Sequence, residues 1–232
     1  MRLYGGINLS EDGISTSVRG LHLQTELMNN INENVVGFNK IGYQRKVPVV
    51  SSFAEIIGVH ALSEVVDTAV GRMRQTKNPL DFILAKEGYF QCQTPFGVKL
   101  TRDGRFKLDK DGYLLTLDDN KILSANGQPI KFQKIPEKLS DIKVNQDGII
   151  TALDQDSKEF YEVGQFSVVA NNGSTANEID VRQGFTENSN VNIYAECFNL
   201  VPVRRNFEAN RQLFIIQNDN LSKTIQELGR AS

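Results

Sequence analysis

The chain has 232 residues, 26 basic against 28 acidic, and a formal charge of −2. The two signs are interspersed, which leaves neither the basic footprint of a nucleic-acid binder nor a polybasic patch for an anionic membrane. No apolar run approaches the roughly 20 residues that cross a bilayer, and the two distant cysteines, Cys92 and Cys197, exclude a disulfide framework or a zinc knuckle.

The opening residues, MRLYGGINLSEDGISTSVRG, show no charged segment followed by an apolar one, so no cleavable secretory signal is expected. From about residue 14 to 46 the pattern is helical and then irregular. Leu21, Met28 and Val35 share one heptad column and Ile31 and Phe38 the neighbouring one, with Gln24 as the one polar member. So narrow a stripe suits packing against another helix rather than beneath a sheet. Gly37, Gly42 and Pro48 then interrupt it.

Residues 80–170 read as β structure. Asp103-Gly104, Asp111-Gly112 and Asp147-Gly148 are turn dipeptides, because glycine reaches positive φ at little cost. In GRFKLDKDGYLLTL, Phe106 and Leu108 alternate with Lys107 and Asp109, the pattern of a hairpin strand. The expectation is an antiparallel domain of about eight or more short strands.

Near the C-terminus, Leu200, Phe207, Phe214, Leu221 and Leu228 form an apolar column at spacing seven, beside a mixed column of Cys197, Arg204, Arg211, Asn218 and Ile225. A helix from about 192 to 228 would be roughly 55 Å long. That exceeds the width of a small β domain, so part of it must project or meet other chains. Ser189, Asn190 and Asn192 offer capping side chains, Gly229 a stop, and Pro202 a kink in the early turns. The fold class expected is α+β. Its long N- and C-terminal helices pair as a coiled-coil-like domain from residues 1–46 and 183–232, and an antiparallel all-β domain with linkers takes 47–182.

No catalytic, cofactor-binding or metal residues are expected. His22 and His60 have no cysteine or acidic cluster at ligand spacing. Cys92, in the alternation YFQCQ, reads as a strand position. DKDGYLLTLDD lacks the sixth-position glycine and twelfth-position glutamate of a calcium loop. There is no Gly-rich phosphate loop and no nucleophile elbow. The residues give no reason to expect an enzyme.

Three stretches carry a more specific pattern. In GLHLQTELMNNINENVVGFNKIGYQRK the matching positions are Gly20, Leu21, Gln24, Met28, Ile31, Asn34, Gly42 and Arg45, with Tyr43 where phenylalanine is usual. In GRMRQTKNPLDFILAKEGYFQCQTPFGVKLTRDGRFKLDKDGYLLT they include Asn78, Pro79, Leu80, Asp81, Gly88, Phe90, Thr101, Arg102, Asp103, Gly104 and Phe106. In VRQGFTENSNVNIYAECFNLVPVRRNFEANRQ they are Gln183, Gly184, Glu187, Ser189, Asn190, Val191, Asn192, Arg205, Phe207, Glu208 and Asn210. Glu33, Val36, Gly37, Lys40, Lys77 and Lys86 depart from the pattern. Taken in this order, the stretches resemble the rod proteins of the bacterial flagellar basal body, relatives of the hook proteins.

The resemblance implies a structural subunit that polymerises into a hollow helical shaft carrying torque from motor to hook. Paired terminal helices would form the inner layer, with the β domain outside. It implies copies of the chain itself and other rod or hook proteins as partners, and no nucleic acid or membrane insertion. Export would be unfolded, through the flagellar type III apparatus and without a cleaved signal, into the rod in the periplasm. The assembly helices are expected to meet through Leu21, Met28, Ile31 and Val35 on one side and Leu200, Phe207, Phe214, Leu221 and Leu228 on the other. Chain length and the short stretch between Val168 and Gln183 favour the proximal rod. The distal rod stays open, as does an adaptor or binding module with a coiled-coil stalk outside that polymer.

Overall fold

A computed structural model describes residues 13–50, 62–155, 157–176 and 178–230, so His60 lies outside the described residues. The chain divides into two compact units: Met1–Val35, Lys46–Val65 and Asn192–Ser232 in one, Val36–Arg45 and Val66–Val191 in the other. The fold is α+β, with a helix towards each end and antiparallel sheets between. Residues 46–50 and 62–65 gather with the helices and 36–45 with the sheets.

The helical unit contains α1 (Gly13–Gly37), β1 (Lys46–Val50), β2 (Leu62–Val66) and α2 (Ile193–Arg230). Strands β1 and β2 form a two-stranded ribbon. Helix α2 has 38 residues, about 57 Å at 1.5 Å per residue. Asn192 caps it, its side-chain oxygen accepting the N–H groups of Tyr194 at 3.1 Å and Ala195 at 3.3 Å. The helix runs on through Pro202 to Arg230, forgoing the one backbone bond that proline cannot donate.

The β unit holds a six-stranded sheet. Its order is β13 (Val168–Val169), β5 (Tyr89–Thr94), β9 (Lys121–Ile122), β8 (Leu114–Thr116) and β7 (Phe106–Leu108), with β6 (Gly97–Thr101) also on β5. A three-stranded sheet follows, β10 (Ile142–Val144), β11 (Ile149–Leu153) and β12 (Phe160–Gln165). Two ribbons complete it: β4 (Phe82–Leu84) with β14 (Val181–Gln183), and β3 (Met73–Gln75) with β15 (Phe185–Glu187). The pairings in all four are antiparallel.

The expected hairpin joins β7 to β8, Phe106 opposite Thr116 and Leu108 opposite Leu114. Its turn is fixed by Asp109, whose carboxylate accepts the N–H groups of Asp111 and Tyr113, and by Gly112 at φ +84°. Gly148 likewise has φ +78°. Gly104 differs from the expectation of a positive-φ turn residue. Its φ is not positive, and a Cβ there would run into the carbonyl oxygen of Phe82.

Strand alternation places Phe82, Phe90, Phe106 and Phe166 in one cluster, with ring centroids 5.2 to 5.8 Å apart. Leu80, Ile122, Ile130, Phe132, Ile142 and Ile150 surround it, each almost fully buried. Burying one such side chain contributes about 1.5–3 kcal/mol, so this core alone gives the β unit a strong hold. Cys92 is an interior strand position within it, and burial pushes its thiol pKa up.

Candidate assembly site

The helices of the helical unit meet at glycines. A Cβ added to Gly13 would stand 2.9 Å from Gln217 Cδ, and one on Gly20 would stand 2.7 Å from Asn210 Cγ. Seven residues forward along α1 correspond to seven residues back along α2, so the pair is antiparallel. On α2 the residues withdrawn from water recur at alternating steps of four and three: Glu196, Leu200, Val203, Phe207, Asn210, Phe214 and Gln217. On α1 they include Ser17, Gly20, Gln24, Leu27, Ile31 and Asn34. Both rows recur at steps of three and four residues, which places each on one side of its helix.

The seam differs from the expected stripes in composition. Ile31 is buried, and Leu21, Met28 and Val35 are half-buried, but the other most buried α1 side chains are Ser17, Gln24, Asn30 and Asn34. Leu200, Phe207 and Phe214 lie in the α2 row, half-buried. Its companion column is Glu196, Val203, Asn210 and Gln217, whereas Cys197, Arg204 and Arg211 are exposed. Leu221 and Leu228 lie past the contact at Gln217 and are 49% and 68% exposed. The reason is steric. Gly20 and Ser17 let the other helix come close on their side, and the polar residues flanking them are carried into the seam.

Helix α1 also buries polar atoms without partners among the described residues. Gln24 Oε1 and Asn30 Oδ1 are buried with no hydrogen bond among the described residues, each costing about 1–3 kcal/mol. Further along α1, Asn34 binds the start of β1 like a neighbouring strand: its Nδ2 donates to the Lys46 carbonyl at 2.8 Å and its Oδ1 accepts the Lys46 N–H at 2.9 Å. The Lys46 ammonium reaches Glu33 at 2.6 Å and Glu64 at 3.1 Å, and Asn30 Nδ2 donates to Glu64. The hydrogen bond from Asn30 first, then Lys46, holds the Glu64 carboxyl below its ordinary value, while Glu33 and Glu64 raise Lys46.

In the β unit, residues from all three motif stretches converge on one buried ion pair. Arg102 Nε donates to Glu187 Oε2 at 2.6 Å, with both side chains at most 3% exposed. The rest of the guanidinium donates to the carbonyls of Leu84, Lys86 and Gly88 at 2.6 to 2.9 Å. Glu187 Oε1 accepts the Gly71 N–H at 2.8 Å, and the Glu187 carbonyl accepts that of Gly42 at 2.8 Å. Gly42 has φ +67°, and a Cβ on it would stand 2.7 Å from the Arg102 carbonyl carbon, so both conformation and space require glycine.

Asn190 closes the arrangement. Its side-chain oxygen accepts the Arg45 N–H at 2.7 Å, and its amide nitrogen donates to the carbonyls of Asp67 and Ala69 at 3.0 Å each. The segments 42–45, 67–71, 84–88 and 187–190 are thereby tied to Arg102. Burying two charges is tolerable here because all three guanidinium nitrogens and both carboxylate oxygens are hydrogen-bonded, and removing one partner would cost about 3–5 kcal/mol.

The other motif residues have local tasks. Thr101 Oγ1 accepts the Asp103 N–H, and Asp103 grips Arg105 through both carboxylate oxygens, which raises the Arg105 pKa. Tyr43 lays its ring where a Cβ on Gly37 would be. Ser189 Oγ accepts the Val191 N–H, so among the expected capping residues only Asn192 caps α2. Glu208 faces Arg211 on the exposed side of α2. Sequence reasoning found Arg102 and Glu187 as motif positions but missed that they bond. The local sequence carried no signal for the pair, because Asp103, Arg105 and Lys107 stand beside Arg102, and Glu187 follows Arg182 in a stretch rich in polar residues.

Among the described residues no group of three or more His, Cys, Asp or Glu could hold a metal ion, and no helix is long and apolar enough to cross a membrane. Residues 84–152 match the family described as flagellar hook protein FlgE/F/G D1 domain, and residues 182–227 match flagellar basal body rod FlgEFG protein C-terminal. The chain is 30% identical over 223 residues to the flagellar basal-body rod protein FlgF of Rhizobium meliloti, covering 87% of this chain and 91% of that one. It is 27% identical to FlgF of Mesorhizobium japonicum, covering 90% and 92% of the two chains. It is also 27% identical to the flagellar basal-body rod protein FlgG of Bacillus subtilis, covering 85% and 90%.

Proposed function

This chain belongs to the flagellar basal-body rod protein family, and from that premise we propose that it is a subunit of the proximal rod, built into a hollow helical shaft that carries torque from motor to hook. Its partners in this reading are copies of itself and the other rod and hook proteins, and it reaches them unfolded through the flagellar type III export apparatus, without a cleaved signal. The short connection between Val168 and Gln183, in which the described residues before β14 form β13 and a turn, supports the proximal assignment over the distal one.

The observation that carries the reading is the seam. Antiparallel contacts at Gly13 and Gly20 support a coiled-coil-like pair of terminal helices. That pair leaves Leu213, Ile216, Leu221, Ile225 and Leu228 on α2 between 39% and 68% exposed. An apolar surface of that extent on one helix suits burial against neighbouring subunits. Contacts between unlike surfaces that never close on themselves generate an open helical polymer. Leu21, Met28, Ile31 and Val35, with Leu200, Phe207, Phe214, Leu221 and Leu228, are the residues proposed to hold it.

The test is electron microscopy of basal bodies from cells in which this gene is deleted in frame. Rods that stop short, with hooks missing, are expected, and the stopping point separates proximal from distal rod. Complete rods and hooks would overturn the reading in favour of an adaptor. In the full chain, Phe207→Ala with Phe214→Ala is expected to abolish incorporation while the β unit stays folded; full motility of that double variant would reject the proposed role of the α2 row.

A further inference from the structure

The hairpin formed by β5 and β6 carries an apolar face that no described residue covers. Phe96 at its tip is 102% exposed, Val98 61% and Leu100 37%. Alternate residues of a strand share a face. Val98 lies opposite Gln93 and Leu100 opposite Gln91, while the core residues Phe90 and Cys92 lie opposite Thr101 and Lys99. The three apolar side chains therefore point away from the core.

Two further observations distinguish this face from scattered surface apolarity. Among the described strands β6 pairs with β5 alone, so its outer edge keeps a row of unpaired backbone groups. The tip is also held in place: Thr94 Oγ1 accepts the Phe96 N–H at 3.2 Å and donates to the Gly97 carbonyl at 2.8 Å. A ring presented on a fixed turn loses little conformational freedom when it docks.

We propose that this outer face, Phe96, Val98 and Leu100, is a lateral contact between copies of this chain in the assembled polymer, an inference that rests on the rod-subunit reading. The area decides the occupant. Three side chains of this kind expose a few hundred Å², whereas a stable free dimer takes about 800 Å² from each partner. The face is too small to hold two free chains together and suits a contact that other contacts in a polymer support. It must meet a different surface on its neighbour, because two identical hairpin edges would close a two-fold pair and end growth.

The full chain carrying a photo-crosslinking benzoylphenylalanine in place of Phe96, expressed in the deletion strain, tests this. After irradiation and purification of basal bodies, the expected product is an adduct of two copies, about twice 26.0 kDa. An adduct with a different protein overturns the choice of a second copy. Chain present in basal bodies with no adduct overturns the contact and leaves the rod reading standing; chain absent from basal bodies removes both. As a second readout, F96D/V98D is expected to keep the unfolding midpoint and the solution mass of the parent, while incorporation drops at least about tenfold. Unchanged incorporation of that variant would also overturn the proposal.

Discussion

In the β unit four phenylalanine rings sit 5.2 to 5.8 Å apart and Arg102 meets Glu187 away from water. In the helical unit the seam is built from Ser17, Gln24, Asn34 and Glu196 as much as from Ile31, with Phe207 and Phe214 only half-buried. The β unit has its cohesion within itself. The helical unit has long elements, buried polar residues and exposed leucines and isoleucines, so it buries less of its apolar surface within itself. One chain thus combines a finished domain with an unfinished one.

The largest expected effect breaks the finished half. Phe90→Ala, which empties the centre of the ring cluster, should destabilise the β unit by about 3–5 kcal/mol. Denaturant unfolding followed by tyrosine fluorescence checks this, since five of the six tyrosines, Tyr43, Tyr89, Tyr113, Tyr161 and Tyr194, are described and all but Tyr194 belong to the β unit. Arg102→Met comes next, at about 3 kcal/mol or slightly more, because Glu187 is left charged and unpaired. The double variant Arg102→Met/Glu187→Leu should recover most of that loss, and a double-mutant cycle with additive costs would show that the pair is not coupled.

A smaller effect is expected for Phe207→Ala in the isolated chain, about 1–2 kcal/mol because the ring is only half-buried there. The same change should cost about 3–5 kcal/mol in assembled rods if docking completes the burial. Comparing thermal release from rods with unfolding of the free chain measures the difference, and equal costs would contradict the idea of an unfinished half. Removing the helix cap with Asn192→Ala should cost about 1 kcal/mol, read as lost helicity by circular dichroism.

The smallest effect concerns pH. Glu64 has its pKa held below 4.5 in the folded chain, so its contribution is present above that value and is lost as the pH falls through the lowered one. Lys46 is shifted upwards, so its contribution is present below 10.5 and lost only in stronger alkali. Because both side chains are partly exposed, the Lys46–Glu64 ion pair is worth under about 1 kcal/mol. Helicity measured between neutral pH and pH 3 should show part of the acid loss disappear in Glu64→Gln; an identical acid profile would assign that loss elsewhere.

Much of this molecule was legible beforehand. The heptad spacing of Leu200, Phe207 and Phe214 placed α2, and the alternation around Phe106 placed the β7–β8 hairpin, because helix and strand periods are written in local sequence. The polar seam was less legible. Heptad columns rank residues by hydrophobicity, but Gly20 and Ser17 attract a close helix by being small, and the side toward which they turn α1 carries Gln24 and Asn34. Gly104 looked like a turn residue on its dipeptide alone, when what it provides is room for Phe82.

By itself the sequence determined the α+β class, the two long terminal elements and the family to which the chain belongs, since these rest on periodicity and on residues at fixed spacing. Only the tertiary structure decided that Gly42, Gly71, Arg102, Glu187 and Asn190 form one site, that β1 and β2 belong with the helices, and that Phe96 stands uncovered. Those facts depend on which distant segments meet. A buried charge such as Arg102 persists only where a partner more than eighty residues away arrives to satisfy it.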